Sequence, residues 1–263
     1  MQNSKKSLYI GSFILILLAS FSIVSQMIYN YESDQQDLMN TFASPSLSHL
    51  LGTDQYGRDV LIRIAQATQL SFFLAFITTI TALVPGVILG VLAAYKGGII
   101  DKLLGFLCDV LLALPGLLLV LIFLAFSPGN LLFLYLGLAL TLWIEFFKVS
   151  RAKTKSLLVE PYVEATKSLG FSFSYILKKH ILPKLLPLVF TISTFSMSTA
   201  IIAISSLSAI SVGLRPPTAE LGSMIVEVLP YYEEEPFLVL LPSLIIFLIV
   251  LSLQLMSKRS EDV

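Results

Sequence analysis

Six apolar runs, each close to twenty residues long, leave this chain few ways to fold. A helix rises about 1.5 Å per residue, so about twenty residues cross the ~30 Å hydrocarbon core of a bilayer. The runs lie at about residues 8–28, 71–94, 103–126, 131–147, 185–210 and 237–256. Inside lipid, backbone polar groups must be bonded within the protein, which selects helices. The expectation is an all-α, polytopic membrane protein with six transmembrane helices and a single domain over residues 1–263. Only 13% of the residues are charged and 56% are apolar. A soluble domain carries about a quarter charged, which argues against one here. The first run follows Lys5 and Lys6, as a signal peptide would. It is about twice the length of a signal-peptide core and no A-x-A site follows, so it reads as a retained span.

Lysine and arginine set the orientation. Fourteen of the seventeen lie on one side of a six-span topology: Lys5, Lys6, Lys96, Lys102, Lys148, Arg151, Lys153, Lys155, Lys167, Lys178, Lys179, Lys184, Lys258 and Arg259. Arg58, Arg63 and Arg215 lie on the other. The positive-inside rule then puts both termini in the cytoplasm, together with the long loop at residues 160–183. Pro85-Gly86 and Pro115-Gly116 fall inside spans, and such interruptions are tolerated where neighbouring helices re-satisfy freed carbonyls. The fifth span carries Thr191, Ser193, Thr194, Ser196, Ser198 and Thr199, which suit close packing or a polar lining.

Two polar stretches stand out. In the first, Leu50–Arg63, Thr53 or Asp54 is placed to cap a helix, and Asp59 and Arg63 are spaced as an i,i+4 pair. Val60, Leu61 and Ile64 would then face the membrane surface. In the second, Glu160–Pro187, the residues Tyr162, Ala165 or Thr166, and Leu169 line one helical face. Pro161 suits the first helical position and Gly170 the position just past the end. This reads as a helix of about two and a half turns lying flat at the membrane edge.

Chemistry-bearing residues are few. There is no G-x-x-x-x-G-K-[ST] phosphate loop and no Gly-Lys pair, so the chain holds no ATP site of that kind and reads as no enzyme in its own right. His49 and His180 fall on opposite sides of the membrane and cannot share a metal; His180 reads as structural. Cys108, the single cysteine, reads as a small buried hydrophobe. Asp109 and Glu145 lie inside spans, where a charge costs about 2.5–3.5 kcal/mol at the bilayer centre. Asp109 is expected to pair with a cation near the cytoplasmic side, and Glu145 with Lys148 at i,i+3. A pathway role is the alternative for both. No nucleic-acid motif is present.

Three stretches carry a resemblance. Glu164, Ala165, Gly170, Ile181, Leu182 and Pro183 resemble the E-A-A loop of ABC importer permeases, with Thr166 in place of the second alanine. Gly52, Thr53, Asp54, Gly57, Arg58, Asp59 and Arg63 resemble the L-G-T-D-x-x-G-R-D-x-x-S-R signature of the C-type subunit in the peptide/nickel branch, with Ile62 in place of serine. Gly213, Pro216, Pro217, Thr218, Gly222 and Met224 resemble a third segment of the same subunits, with Leu221 in place of tryptophan. The sequence stops before the C-terminal tail usual there.

The resemblance implies a permease subunit of the bacterial cytoplasmic membrane that carries short peptides, nickel or metal chelates. It implies a homologous permease as partner, two ATP-binding subunits that hold the ATP and magnesium, and an extracellular or periplasmic solute-binding protein. It makes Tyr162, Glu164, Ala165, Thr166, Leu169, Gly170 and Pro183 the ATPase-coupling residues, with Glu164 holding the loop's fold through its own hydrogen bonds. A secondary transporter would need charged stacks or inverted repeats in the spans, and neither is seen. A plain membrane scaffold would not need the Gly52–Arg63 motif.

Overall fold

The computed structural model describes residues 2–29 and 32–257. Lys258 and Arg259, part of the orientation argument, lie outside them. Among the described residues there are helices, turns and one isolated β-bridge, Thr53 with Asp59, but no strand. The helices are α1 (Gln2–Ile28), α2 (Val60–Lys96), α3 (Gly98–Leu112), α4 (Gly116–Phe126) and α5 (Leu131–Leu158). After them come α6 (Pro161–Ser168), α7 (Phe173–Ile176), α8 (Leu182–Ala209), α9 (Leu221–Val228) and α10 (Pro236–Ser257).

Contacts between distant residues define two ends of the bundle. At one end Asp101 meets Arg151 and Lys155, Tyr95 stacks on Phe173, and Ser7 donates to the Leu255 carbonyl. This is the α6 end. At the far end Gln55 reaches the Glu227 carbonyl, and the rings of Phe42 and Tyr231 lie 5.0 Å apart. A Cβ on Gly129 would stand 3.2 Å from the Arg215 side chain, which fixes the α4–α5 turn there too. The chain therefore enters α3 at the α6 end and leaves α4 at the far end. The pair α3–α4, bent by 79° around Pro115, is one broken crossing rather than a loop that turns back. With the five unbroken spans this makes six crossings, and the described termini share the α6 end.

Several boundaries differ from the sequence expectation. The second span has no break at Pro85-Gly86; α2 runs 37 residues without interruption. What Gly86 supplies is proximity. A Cβ there would come within 2.7 Å of the Trp143 carbonyl oxygen, and one on Gly90 within 2.7 Å of that of Phe147. Two glycines one turn apart thus let the α2 and α5 backbones touch, the small-xxx-small device of membrane helices. The fifth span starts earlier than residue 185. Helix continues from Phe173 to Ala209, so the second half of the 160–183 loop is part of a span. A five-residue π-turn, Leu177–Ile181, interrupts it, with the Leu182 N–H reaching the Leu177 carbonyl. Pro183 follows at once. It cannot donate to the carbonyl four residues back, and the widened turn absorbs that loss.

Several hydroxyls of the fifth span settle onto their own helix. Ser193 donates to the Val189 carbonyl at 2.7 Å, Thr194 to Thr191 at 2.8 Å and Ser198 to Thr194 at 3.0 Å. Thr194, Ser196 and Ser198 are buried, which favours close packing over a polar lining. The 211–236 segment between the last two spans holds α9. This apolar helix buries Leu221, Met224 and Val228.

Candidate functional site: the far-end charge cluster and the α6 loop

Gly52, Thr53, Asp54, Gly57, Arg58 and Asp59 come together in one compact knot at the start of α2. Gly57 takes φ +69°, and a Cβ there would lie 1.8 Å from the Asp37 carbonyl oxygen, so no other residue fits. The Asp54 carboxylate accepts from the backbone N–H groups of Tyr56 and Arg58 at 2.9 and 3.0 Å, and from Arg58 Nε at 2.6 Å. Thr53 Oγ1 accepts the Ala43 N–H at 2.8 Å and donates to the Asn40 carbonyl. The motif therefore fastens residues 37–54 onto the top of α2.

The helix cap is Asp59, not Thr53 or Asp54. Its carboxylate accepts the Ile62 N–H at 3.0 Å. Nor does Asp59 pair with Arg63: its second oxygen meets His49 Nδ1 at 2.9 Å. Arg63 turns instead to Glu227 on α9 at 3.2 Å and to Asp54 at 3.4 Å. Arg58 ion-pairs with the same Glu227 carboxylate. Two guanidiniums and two carboxylates thus form a closed cluster, with Arg58 2% and Arg63 1% exposed. Val60, Leu61 and Ile64, expected at the membrane surface, are buried beneath it. Glu220 is fully buried nearby; it caps α9 through the Ser223 N–H and accepts from Ser205 Oγ, both at 2.9 Å.

At the opposite end, α6 starts at Pro161 and stops where Gly170 takes φ +83°. Its inner face is anchored. Val163 is buried, and Thr166 Oγ1 donates to the Tyr162 carbonyl at 2.7 Å and lies 3.3 Å from His180 Nε2. The hydroxyl hydrogen is used on Tyr162, so Nε2–H of His180 is the donor in that second contact. Lys184 donates to the Tyr162 hydroxyl at 2.8 Å. His180 and Pro183 therefore belong to the mount of α6, the structural role expected of His180. Glu164 is exposed and makes no side-chain hydrogen bond among the described residues. The loop is held by Val163, Thr166, His180 and Lys184, not by Glu164. Ala165 is exposed, Leu169 is 77% exposed and Tyr162 36%, so one side of α6 has no cover.

Asp109 pairs with Lys148 at 3.0 Å, as expected of a cation near that end. Glu145 does not pair with Lys148. It accepts from Ser196 Oγ on α8 at 3.5 Å. Asp101, which sequence reading passed over, binds Arg151 and Lys155 and so ties α3 to α5. Cys108 is buried between those two pairs along the helix.

The family described as the binding-protein-dependent transport system inner membrane component matches residues 86–262. The chain belongs to that family. This permease is 30% identical over 253 residues to the glutathione transport system permease protein GsiD of Pectobacterium atrosepticum, across 96% of this chain and 84% of that one. It is 29% identical to the dipeptide transport system permease protein DppC of Haemophilus influenzae, across 96% and 88% of the two chains. It is 29% identical to the oligopeptide transport system permease protein OppC of Bacillus subtilis, across 91% and 79%. A chain of the MetNI methionine ABC transporter, solved in an inward facing conformation, shares the permease's fold. The TM-score is 0.56 at 17% identity, over 74% of this chain and 93% of that one.

The sequence held signals for the residues that were missed. Glu227 is the only acid within the apolar stretch of α9, and Arg58 and Arg63 call for more negative charge than Asp54 supplies. His49 gave no sign in its local pattern.

Proposed function

We propose that this permease carries short peptides as one half of an ABC importer's translocation path, and that α6 docks on an ATPase subunit. The observation that carries the proposal is the anchored yet uncovered α6, whose Tyr162, Ala165 and Leu169 are exposed. A helix fixed from behind and bare in front can pass a push from a partner into the spans, here through His180 and Lys184 into the base of α8. The 14 Lys and Arg residues assigned to the α6 side of the chain support placing that end, and both termini, in the cytoplasm. A homologous permease would complete the path, two ATP-binding subunits would supply hydrolysis with ATP and magnesium, and a solute-binding protein would deliver cargo to the far end. The named relatives carry peptides, which puts peptides first. Nickel or metal-chelate cargo is the second reading, and it follows from the sequence resemblance alone.

Two substitutions test the coupling role. Gly170→Val forces a β-branched side chain into φ +83°, a region such residues avoid. Glu164→Lys reverses a charge on the uncovered side. Each is expected to abolish peptide uptake in cells while membrane insertion, followed by immunoblot of the membrane fraction, stays normal. Normal uptake in both would remove α6 from the mechanism.

A further inference from the structure

A cavity of about 710 Å³ opens at the far end between α1, α2 and residues 217–219. That volume lies within the range of small-molecule sites, about 300–1,000 Å³. Gln26 of α1 and Gln66 and Gln69 of α2 line it. Residues 66 and 69 are three apart and share a helix face. None of the three carboxamides has a side-chain hydrogen bond among the described residues, and Nε2 of Gln26 is shut off from solvent without a partner. Glu32 and Asp34 add two carboxylates, neither in an ion pair among the described residues. The nearby cations Arg58 and Arg63 are committed to Asp54 and Glu227. The wall is also fixed in place: Arg63 Nη1 holds the Ser33 carbonyl at 3.2 Å. Phe73 supplies an apolar side.

A carboxamide offers both a donor and an acceptor, which is what a peptide bond requires in return. Glu32 and Asp34 are exposed and make no close ion pair among the described residues, Arg63 acting on Asp34 only at longer range, so both can take an ammonium group. We propose that this basin receives the amino-terminal end of a short peptide before it enters the path. Glu32 and Asp34 take the α-ammonium, Gln66 and Gln69 take the first peptide bond, and Phe73 packs on a side chain. The assignment rests on the peptide reading above and adds to it a recognition step in the permease itself, separate from the binding protein.

The test uses the complete permease pair in lipid nanodiscs, titrated with the dipeptide Ala-Phe and with N-acetyl-Ala-Phe, and the full importer in proteoliposomes. Ala-Phe is expected to bind the pair at least tenfold more tightly than its acetylated form. Glu32→Gln with Asp34→Asn should weaken Ala-Phe at least tenfold and leave the acetylated peptide unchanged. Gln66→Leu with Gln69→Leu should weaken both. Either double-variant pair should elute from size exclusion and unfold thermally as the unsubstituted pair does, which separates recognition from folding. Equal affinity for the two peptides, or variants that bind Ala-Phe normally while the unsubstituted importer transports it, would overturn the basin alone. An unsubstituted importer that carries no peptide at all would overturn the peptide reading and the basin with it.

Discussion

Glu227 holds two guanidiniums at once, and that shapes what its loss does. Arg58 and Arg63 are both buried, and Asp54 can neutralise only one of them. A buried charge that loses its partner costs about 3–5 kcal/mol, because the remaining ion is left dry and uncompensated. Glu227→Ala is therefore expected to destabilise the purified protein by about that amount, read as a fall in its thermal unfolding temperature in detergent. Glu234→Ala provides the contrast. That acid is exposed, and a surface substitution away from such a network stays within about 0.5 kcal/mol. Equal shifts for the two variants would mean that the cluster is no lock. Part of it was readable from sequence and part was not, for a physical reason. Helical spacing reports neighbours four residues apart, and on that basis Asp59 and Arg63 look paired. The actual partner of Arg63 stands 164 residues away on α9, and Asp59 is taken up by His49 and by the helix cap.

Between elements, the bent crossing is the piece with the thinnest attachment. Of α3 only Cys108 is buried, while Leu103, Phe106 and Val110 are at least half exposed. Its ionic hold on α5 comes from two acids two turns apart, Asp101 and Asp109. Asp101 is the stronger, gripped by Arg151 and Lys155 in a part-buried setting. Asp109 and Lys148 are exposed, and a pair of that kind contributes about 0–1 kcal/mol. Cys108 makes the difference measurable, since it is the single thiol in the chain. Asp101→Asn should let α3 lift and raise the rate of labelling by a membrane-permeant maleimide at least tenfold, with Asp109→Asn close to the unsubstituted rate. Identical rates for all three would place the hold elsewhere. The crossings themselves were plain in the hydropathy of the sequence, because about twenty apolar residues admit little else. The bend at Pro115 was legible as an interruption but not as an angle, since proline removes a bond without dictating how neighbours refill the gap. Pro85 shows the converse: inside the close α2–α5 contact the same residue leaves the helix whole.

Across the molecule, α2 joins the two ends that matter. Its 37 residues span about 55 Å, well beyond the ~30 Å hydrocarbon core. One end is capped by Asp59 inside the charge cluster, and Gln66 and Gln69 follow along the same helix. At the other end the Tyr95 ring lies 3.8 Å from that of Phe173, the first residue of the helical stretch that mounts α6. A displacement of α6 can therefore reach the far end through a rigid rod, provided the Tyr95–Phe173 contact holds. Such ring pairs contribute about 0.5–1.5 kcal/mol beyond burial, enough to shift a two-state balance by up to roughly tenfold. Tyr95→Ala should consequently lower uptake by up to about tenfold while the assembled importer continues to hydrolyse ATP. Loss of both activities together would indicate a folding defect. Uptake and hydrolysis both unchanged would mean that the push travels through α8 and α5 instead, with α2 serving only as the frame for the cluster at its start.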